Sequence, residues 1–260
     1  MSEALFAVAS WNVNSIKARL DHVQRWCGET RPAVLALQET KTVDQNFPAA
    51  ALAELGYHLS FSGQPSYNGV AILSRDAPSE VVTALPGFAD EQKRVIGVAL
   101  PECFVLNLYV PNGSSVGSEK YAYKLAWLDA LLDWLPKLLA VHPRLLIVGD
   151  FNVAPDDRDV HDPEAWRDQI LCSPPERDRV QRILGLGFRD TFRLFEESAG
   201  HFSWWDYRAA GFRRNLGLRI DLALASPAMA GRCRQSRIDR EPRRWEKPSD
   251  HAPVVAEFEA

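Results

Sequence analysis

Short apolar runs recur along the chain, and most of them stop on a polar residue. Leu5 to Asn12, Val34 to Glu39, Gly69 to Ser74, Phe104 to Tyr109, Leu145 to Asp150, Leu218 to Asp221 and Pro253 to Phe258 are rich in Val, Ile, Leu and Phe. Runs of this length and composition predict β-strands. Between them the spacing changes: Ile16, Leu20, Val23, Trp26 and Cys27 recur as on one face of a helix, with Ser15 placed to cap its first turn. Tyr121 to Val141, carrying Leu125, Leu128, Leu131, Leu132, Leu135, Leu138 and Leu139, predicts a longer helix that Pro136 should kink or end. Pro174-Pro175 opens a third helix with Val180, Ile183 and Leu184 on one face. Val95 to Leu100 is followed at once by Phe104 to Tyr109, a hairpin spacing, so the sheet is expected to be mixed. The pattern predicts an α/β fold of two packed sheets with helices outside. Pro155 to Pro175, rich in Asp and Pro, is the longest candidate loop.

Composition narrows the class. A chain of 260 residues, 46% hydrophobic and 25% charged, can bury a full core, and no shift in composition marks an internal boundary, so one domain over residues 1–260 is expected. No stretch reaches the roughly 20 apolar residues of a membrane span. Met1 to Trp11 has Glu3 where a secretory leader would be basic, and its apolar run ends in Ser10-Trp11-Asn12 rather than at a small-residue cleavage site. A cytoplasmic protein without membrane contact is expected. Cys27, Cys103, Cys172 and Cys233 lie far apart with no Cys-x-x-Cys pair, which excludes zinc knuckles and redox motifs. Net charge is −4, yet Gly200 to Ser249 holds eleven Lys/Arg against five Asp/Glu, or +6, leaving −10 for the remainder. An acidic body beside a basic, aromatic segment suits a metal-dependent enzyme acting on a polyanion. A solvated Arg-rich surface accounts for the charge equally well.

The chemistry sits at the ends of the apolar runs. Asn12, Glu39, Tyr109 with Asn112, Asp150 with Asn152, Asp221, and Asp250 with His251 lie at or just beyond such a run or at a turn into one. Singly, each is a residue favoured at turns by local hydrogen bonding. Together they supply what phosphodiester hydrolysis needs. Magnesium prefers oxygen ligands and keeps several waters, so one or two carboxylates such as Glu39 can hold it. Attack by water needs a carboxylate or imidazole as base, with neutral donors such as Asn12 and Asn152 positioning groups without added repulsion. The Tyr109 phenol can donate to a phosphate oxygen. Of six histidines, His251 is singled out because Asp250 precedes it and an apolar strand follows, and Asp221 is the carboxylate nominated to orient it.

These motifs have a known counterpart. Trp11-Asn12-Val13-Asn14, Leu37-Gln38-Glu39-Thr40-Lys41, Asn68-Gly69-Val70-Ala71, Leu108-Tyr109-Val110-Pro111-Asn112, Gly149-Asp150-Phe151-Asn152, Gly217-Leu218-Arg219-Ile220-Asp221 and Pro248-Ser249-Asp250-His251-Ala252-Pro253 resemble the ordered motif set of the exonuclease III branch of the AP endonucleases, within the endonuclease/exonuclease/phosphatase superfamily. The resemblance spans essentially the whole chain, and Phe202 to Arg208 narrows it to the DNA-repair branch. It implies a DNase I-like four-layer α/β sandwich, two packed mixed β-sheets flanked by helices. It implies Glu39 as principal metal ligand with Asn12 and Asp250 close by, and Mg2+ as the cofactor with Mn2+ as the alternative. Asp150, helped by Asn152, would align or deprotonate the water. His251, oriented by Asp221, would act with Tyr109 and Asn112 on the phosphate, and either Asp150 or the Asp221–His251 pair could take the proton. Trp204, Leu218 and Ile220 would wall a pocket for a flipped abasic sugar.

The implied substrate is double-stranded DNA with abasic sites, nicks or blocked 3′ ends, acted on by a monomer. Two rivals compete: an inositol-polyphosphate or lipid phosphatase of the same superfamily, and a non-catalytic DNA-binding module. The loop from Asp156 to Cys172, with His161, Trp166 and Leu171, is expected to border the substrate path and to favour exonuclease and 3′-phosphatase activity over abasic-site incision.

Overall fold

The computed structural model describes residues 5–260, so Glu3, on which the reading of the N-terminus leans, lies outside the described residues. Among the described residues there are fourteen strands: β1 (Leu5–Asn12), β2 (Val34–Gln38), β3 (His58–Ser62), β4 (Val70–Ser74), β5 (Glu80–Val82), β6 (Val95–Ala99), β7 (Phe104–Tyr109), β8 (Leu145–Asp150), β9 (Arg189–Asp190), β10 (Trp204–Trp205), β11 (Gly217–Leu218), β12 (Asp221–Ala225), β13 (Cys233–Ile238) and β14 (Val254–Glu259). The main helices are α1 (Leu20–Thr30), α2 (Ala49–Ala53), α3 (Glu119–Val141) and α4 (Pro174–Gly185).

Twelve strands form two six-stranded sheets, ordered β13-β14-β1-β2-β4-β3 and β5-β6-β7-β8-β12-β9. Both are mixed. β1 pairs with β2 and β7 with β8 in parallel, and the chain between each pair crosses over through a helix, α1 and α3 respectively, as parallel neighbours require. Val8, Ile72, Val105, Val148, Ala223 and Val254 pack between the sheets. The outer face of the first sheet buries Trp11, Leu35 and Leu73 against Val23 and Trp26 of α1. That of the second buries Leu106, Ile147 and Leu224 against Trp127, Leu131 and Leu135 of α3 and Val180 and Ile183 of α4. The central strands are therefore apolar on both faces, which is why they read as nearly continuous hydrophobic runs. This is the four-layer α/β sandwich.

Three local expectations are corrected. α1 starts at Leu20, and Ser15 does not cap it: the residue before the helix is Arg19, which makes no side-chain cap. Asn14 and Ser15 are instead held in left-handed backbone, with the amides of Ser15 and Ile16 donating to Glu39 O (2.8 Å) and Thr40 O (3.2 Å). Tying this turn to the end of β2 competes with winding it into a helix. Pro136 does not end α3, which runs on to Val141. It lies on the exposed side of the helix, where its ring displaces no core side chain, while Leu135 and Leu138 stay buried. Finally, Leu218 to Asp221 is not one strand. β11 ends at Leu218 and β12 begins at Asp221, because Arg219 turns inward to the carboxylates of buried Asp159 (Nε–Oδ1 2.7 Å) and half-buried Asp190 (NH2–Oδ2 2.7 Å).

Candidate active site

Strand register gathers the polar residues. In the first sheet Asn12 pairs with Gln38, so the parallel strands β1 and β2 end side by side and Glu39 follows directly. In the second, Tyr109 pairs with Asp150 and Asp150 with Asp221, a single line across β7, β8 and β12. β12 runs antiparallel to β8, so its first residue reaches the edge where β7 and β8 have their last. Gly149 allows this edge to close: its φ is +144°, and a Cβ there would stand 1.9 Å from Leu108 O.

Asn12 joins the two sheets, its Nδ2 donating to Glu39 Oε1 (2.8 Å) and Asp150 Oδ2 (2.9 Å). Asp150 Oδ1 accepts the Asn152 amide at 2.9 Å. His251 Nδ1 lies 2.9 Å from Asp221 Oδ2, which leaves Nε2 3.7 Å from Asp150 Oδ2. Ser203 fixes the far side of Asp221: its hydroxyl donates to Oδ2 (2.6 Å) and accepts from the Asp221 amide (3.0 Å). Lys41 Nζ contacts Glu39 Oε2 (2.8 Å) and Asn14 Oδ1 (2.6 Å). Asn14, Glu39, Lys41 and Asn152 all have φ between 46° and 53°. Left-handed backbone in residues other than glycine costs on the order of 1 kcal/mol each, and its concentration at one sheet edge is the usual mark of a site.

The charges are unusual. Burial raises Asp150, the Asp221 and Glu39 charges add to that, and the His251 charge opposes it, leaving the carboxyl near about 7. Burial alone would lower His251, but Asp221 and Asp150 outweigh it and lift the imidazole to about 10. Desolvation pushes the Tyr109 phenol well up, with Glu39 and Asp150 adding to the shift, so it stays a proton donor. Arg94, 4.8 Å above the ring, opposes that shift. For Asp250, burial is outweighed by the His251 charge and by hydrogen bonds from Trp204 and Asn14, and the carboxyl falls below its ordinary range.

Ligand atoms of Glu39, Asp150 and His251 lie within 4.8 Å of one another, and with His251 protonated it is the carboxylates that are able to hold a metal ion. Asn12 is tied to this group by hydrogen bonds, its Nδ2 donating to both carboxylates. Asp250 lies beside it, its oxygens accepting from Asn14 Nδ2 (3.0 Å) and Trp204 Nε1 (3.0 Å). Asn112 is exposed at the rim, and its Nδ2 donates to Asn152 Oδ1 at 3.1 Å. A cleft of about 620 Å3 opens there, lined by Tyr109, Asn112, Arg94, Tyr67 and Lys120.

The remaining expected residues stand on the other side. Trp204 is half-buried, whereas Leu218 and Ile220 are buried and pack with Ala154, Val160 and Leu171. The loop after Asn152 lies across them, with Val160 bridged to Leu218 and the His161 amide donating to Gly217 O at 3.1 Å. Several site residues escaped the sequence reading. Asn14 and Lys41 lie at the ends of the Trp11–Asn14 and Leu37–Lys41 motifs, and Ser203 immediately precedes Trp204. Lys124 carried the plainest signal, a cation four and seven residues before Leu128 and Leu131 on a face that should be apolar.

The chain resembles known proteins over nearly its whole length. Residues 9–251 match the model of the endonuclease/exonuclease/phosphatase family. Exodeoxyribonuclease III of Haemophilus influenzae is 37% identical, over 96% of this chain and 98% of its own length. The 3′ phosphatase NExo from Neisseria, solved with a product DNA hairpin, superposes with a TM-score of 0.96 at 45% identity, covering 98% of this chain and all of that one. An AP endonuclease from Archaeoglobus fulgidus gives 0.94 at 39% identity, again over 98% of this chain and 100% of the other. With the strand-end residues, the fold and these relatives in agreement, the chain belongs to the endonuclease/exonuclease/phosphatase family, within its exonuclease III branch of AP endonucleases.

Proposed function

We propose that this protein is a DNA-repair nuclease that hydrolyses phosphate esters of double-stranded DNA at 3′ ends, nicks and abasic sites, with Mg2+ as its ion and Mn2+ as a substitute. The observation that carries this reading is the setting of Asp150. One oxygen is fixed by the Asn152 amide and the other by Asn12, and burial brings the carboxyl to about 7. A base whose proton affinity matches the working pH is best placed to take a proton from water. The water oxygen attacks phosphorus as Asp150 accepts its proton, and the bond to the leaving oxygen breaks with its electron pair on that oxygen.

His251, held charged by Asp221, faces the same point and stabilises negative charge on the phosphate, and Tyr109 donates to it. Asn112 reaches the phosphate from the rim. Glu39 is the chief ligand for the cation, with Asn12 and Asp250 next to it. The bound ion supplies Lewis-acid stabilisation of phosphate charge. Oxygen donors such as the Glu39 and Asp150 carboxylates suit a hard ion of this kind.

Within this activity, removal of 3′-phosphates and 3′→5′ digestion exceed incision at internal abasic sites. Support comes from the loop covering Leu218 and Ile220, which fills the base of the proposed sugar pocket with Val160 and Leu171. It also comes from the 3′ phosphatase relative. Rates with Mg2+ on a nick bearing a 3′-phosphate and on a duplex with an internal abasic site test both levels. Faster turnover of the 3′-phosphate is expected; faster internal incision rejects the preference, and inertness on both rejects the nuclease.

A further inference from the structure

A lysine is buried behind the catalytic edge where packing alone would call for leucine. Lys124 lies on the inner face of α3, fully buried, and its counter-ion Glu176, in the first turn of α4, is fully buried too. An ammonium has three N–H groups and no acceptor, so three partners satisfy it. Lys124 has three: the Glu176 carboxylate, Asn152 O (2.6 Å) and Asn112 O (3.1 Å). The two carbonyls belong to the residues whose side-chain amides meet at the rim of the site. Asn152 needs such a hold, since its φ of 49° is left-handed and its amide must aim at Asp150 Oδ1.

The surroundings are shaped to fit. Gly113 has a φ of +90°, and a Cβ there would come within 3.1 Å of Lys124 Cδ and 2.9 Å of Ile170 Cδ1. Glu176 is fixed in turn by the amides of Leu171 and Ser173 (3.1 Å each) and the Ser173 hydroxyl (2.6 Å). Burial depresses the ammonium's pKa, and the Glu176 charge works against that. A buried ion pair is often no more stabilising than apolar residues of the same volume, so stability alone does not account for it. What a methionine could not do is hold two carbonyls in place.

We infer that Lys124, with Glu176 as its counter-ion, is a positioning residue for the reaction: it fixes the Asn152 and Asn112 backbone so that Asp150 and its water are aligned. The assignment rests on the nuclease reading. Its test uses the full chain with Mg2+ on the 3′-phosphate nick, comparing the parent with Lys124→Met and with the charge-free double variant Lys124→Met/Glu176→Gln, each well below its own unfolding midpoint. Misplacing a reacting group by about 1 Å costs about 100-fold, so kcat should fall by about that factor while KM changes less than about threefold. The double variant should lose no more than the single one, because Glu176 acts through Lys124. A purely structural pair would leave kcat of the folded fraction untouched. Retention of kcat within about threefold in either variant, a loss confined to KM, or failure of both variants to fold would overturn the assignment. A parent inert on DNA removes the nuclease reading and this assignment with it, whereas an active parent with indifferent variants removes only the assignment.

Discussion

The floor of the site and the wall beside it are built differently. The floor, Asn12, Glu39, Asp150, Asp221 and His251, comes from ends of central strands, and its side chains hold one another through short polar contacts. The wall, Leu218 and Ile220 under the loop after Asn152, comes from a two-residue strand and an irregular segment, and its contacts are mostly apolar. Sheet register fixes the first; the second depends on how a loop is pinned. In the proposed function the floor would determine which bond is cut, and the wall which DNA brings that bond within reach.

Substitutions should separate the two. Asp150→Asn is expected to have the largest effect, a fall in kcat of about 10⁴-fold in single-turnover assays, the upper range for loss of a positioned base. Its thermal midpoint should not drop, because a neutral amide removes a desolvated carboxylate; a loss of folding would make Asp150 a structural residue. His251→Asn should cost about 100- to 1,000-fold. The imidazolium depresses the Asp150 pKa, so without it that pKa rises above about 7 and the acid limb of the pH–rate profile moves to higher pH. Disappearance of the limb would make His251 the base instead. Glu39→Gln should raise the Mg2+ concentration for half-maximal rate by about 10- to 100-fold, and calorimetric titration of Mg2+ into protein without DNA should weaken alike. An unchanged Mg2+ requirement would move the ion elsewhere. The smallest effect belongs to the wall. Trp166→Gly should shift the ratio of abasic incision to 3′-phosphate removal by about tenfold towards incision, leaving 3′-phosphate turnover nearly constant. A general loss on both substrates would erase the distinction between floor and wall.

The same division governs what could be read from sequence. Asn12, Glu39, Tyr109 and Asp150 were visible because parallel central strands are apolar on both faces and stop together, so each polar residue stands out against its run. Asp221 was found for an imperfect reason, since it opens a strand instead of closing one, yet antiparallel pairing delivers it to the same edge. The outer strands β3, β5 and β13 were not seen: their sequences mix polar and apolar residues because one side or face meets water. Ser15 misled because its local pattern suits a helix cap, while the bonds that decide its conformation come from Glu39 and Thr40. The wall was least visible. Val160 meets Leu218, and Asp159 meets Arg219, at separations that no local periodicity records. Lys124 could have been noticed as a cation out of phase with its helix, although its partners Asn152 and Glu176 could not.

The line formed by Tyr109, Asp150 and Asp221 also sets how this chain can change length. Side chains alternate between the two faces of a strand, so one residue inserted within β8 would send Asp150 to the opposite face and break its pairing with both neighbours. An insertion among residues 161–169 would lengthen a surface loop held at both ends and leave that line intact. Insertions and deletions should therefore accumulate in the loop and be excluded from the strands. In such a molecule, changes in loop length would be expected to alter substrate preference while leaving the strand-end residues in place.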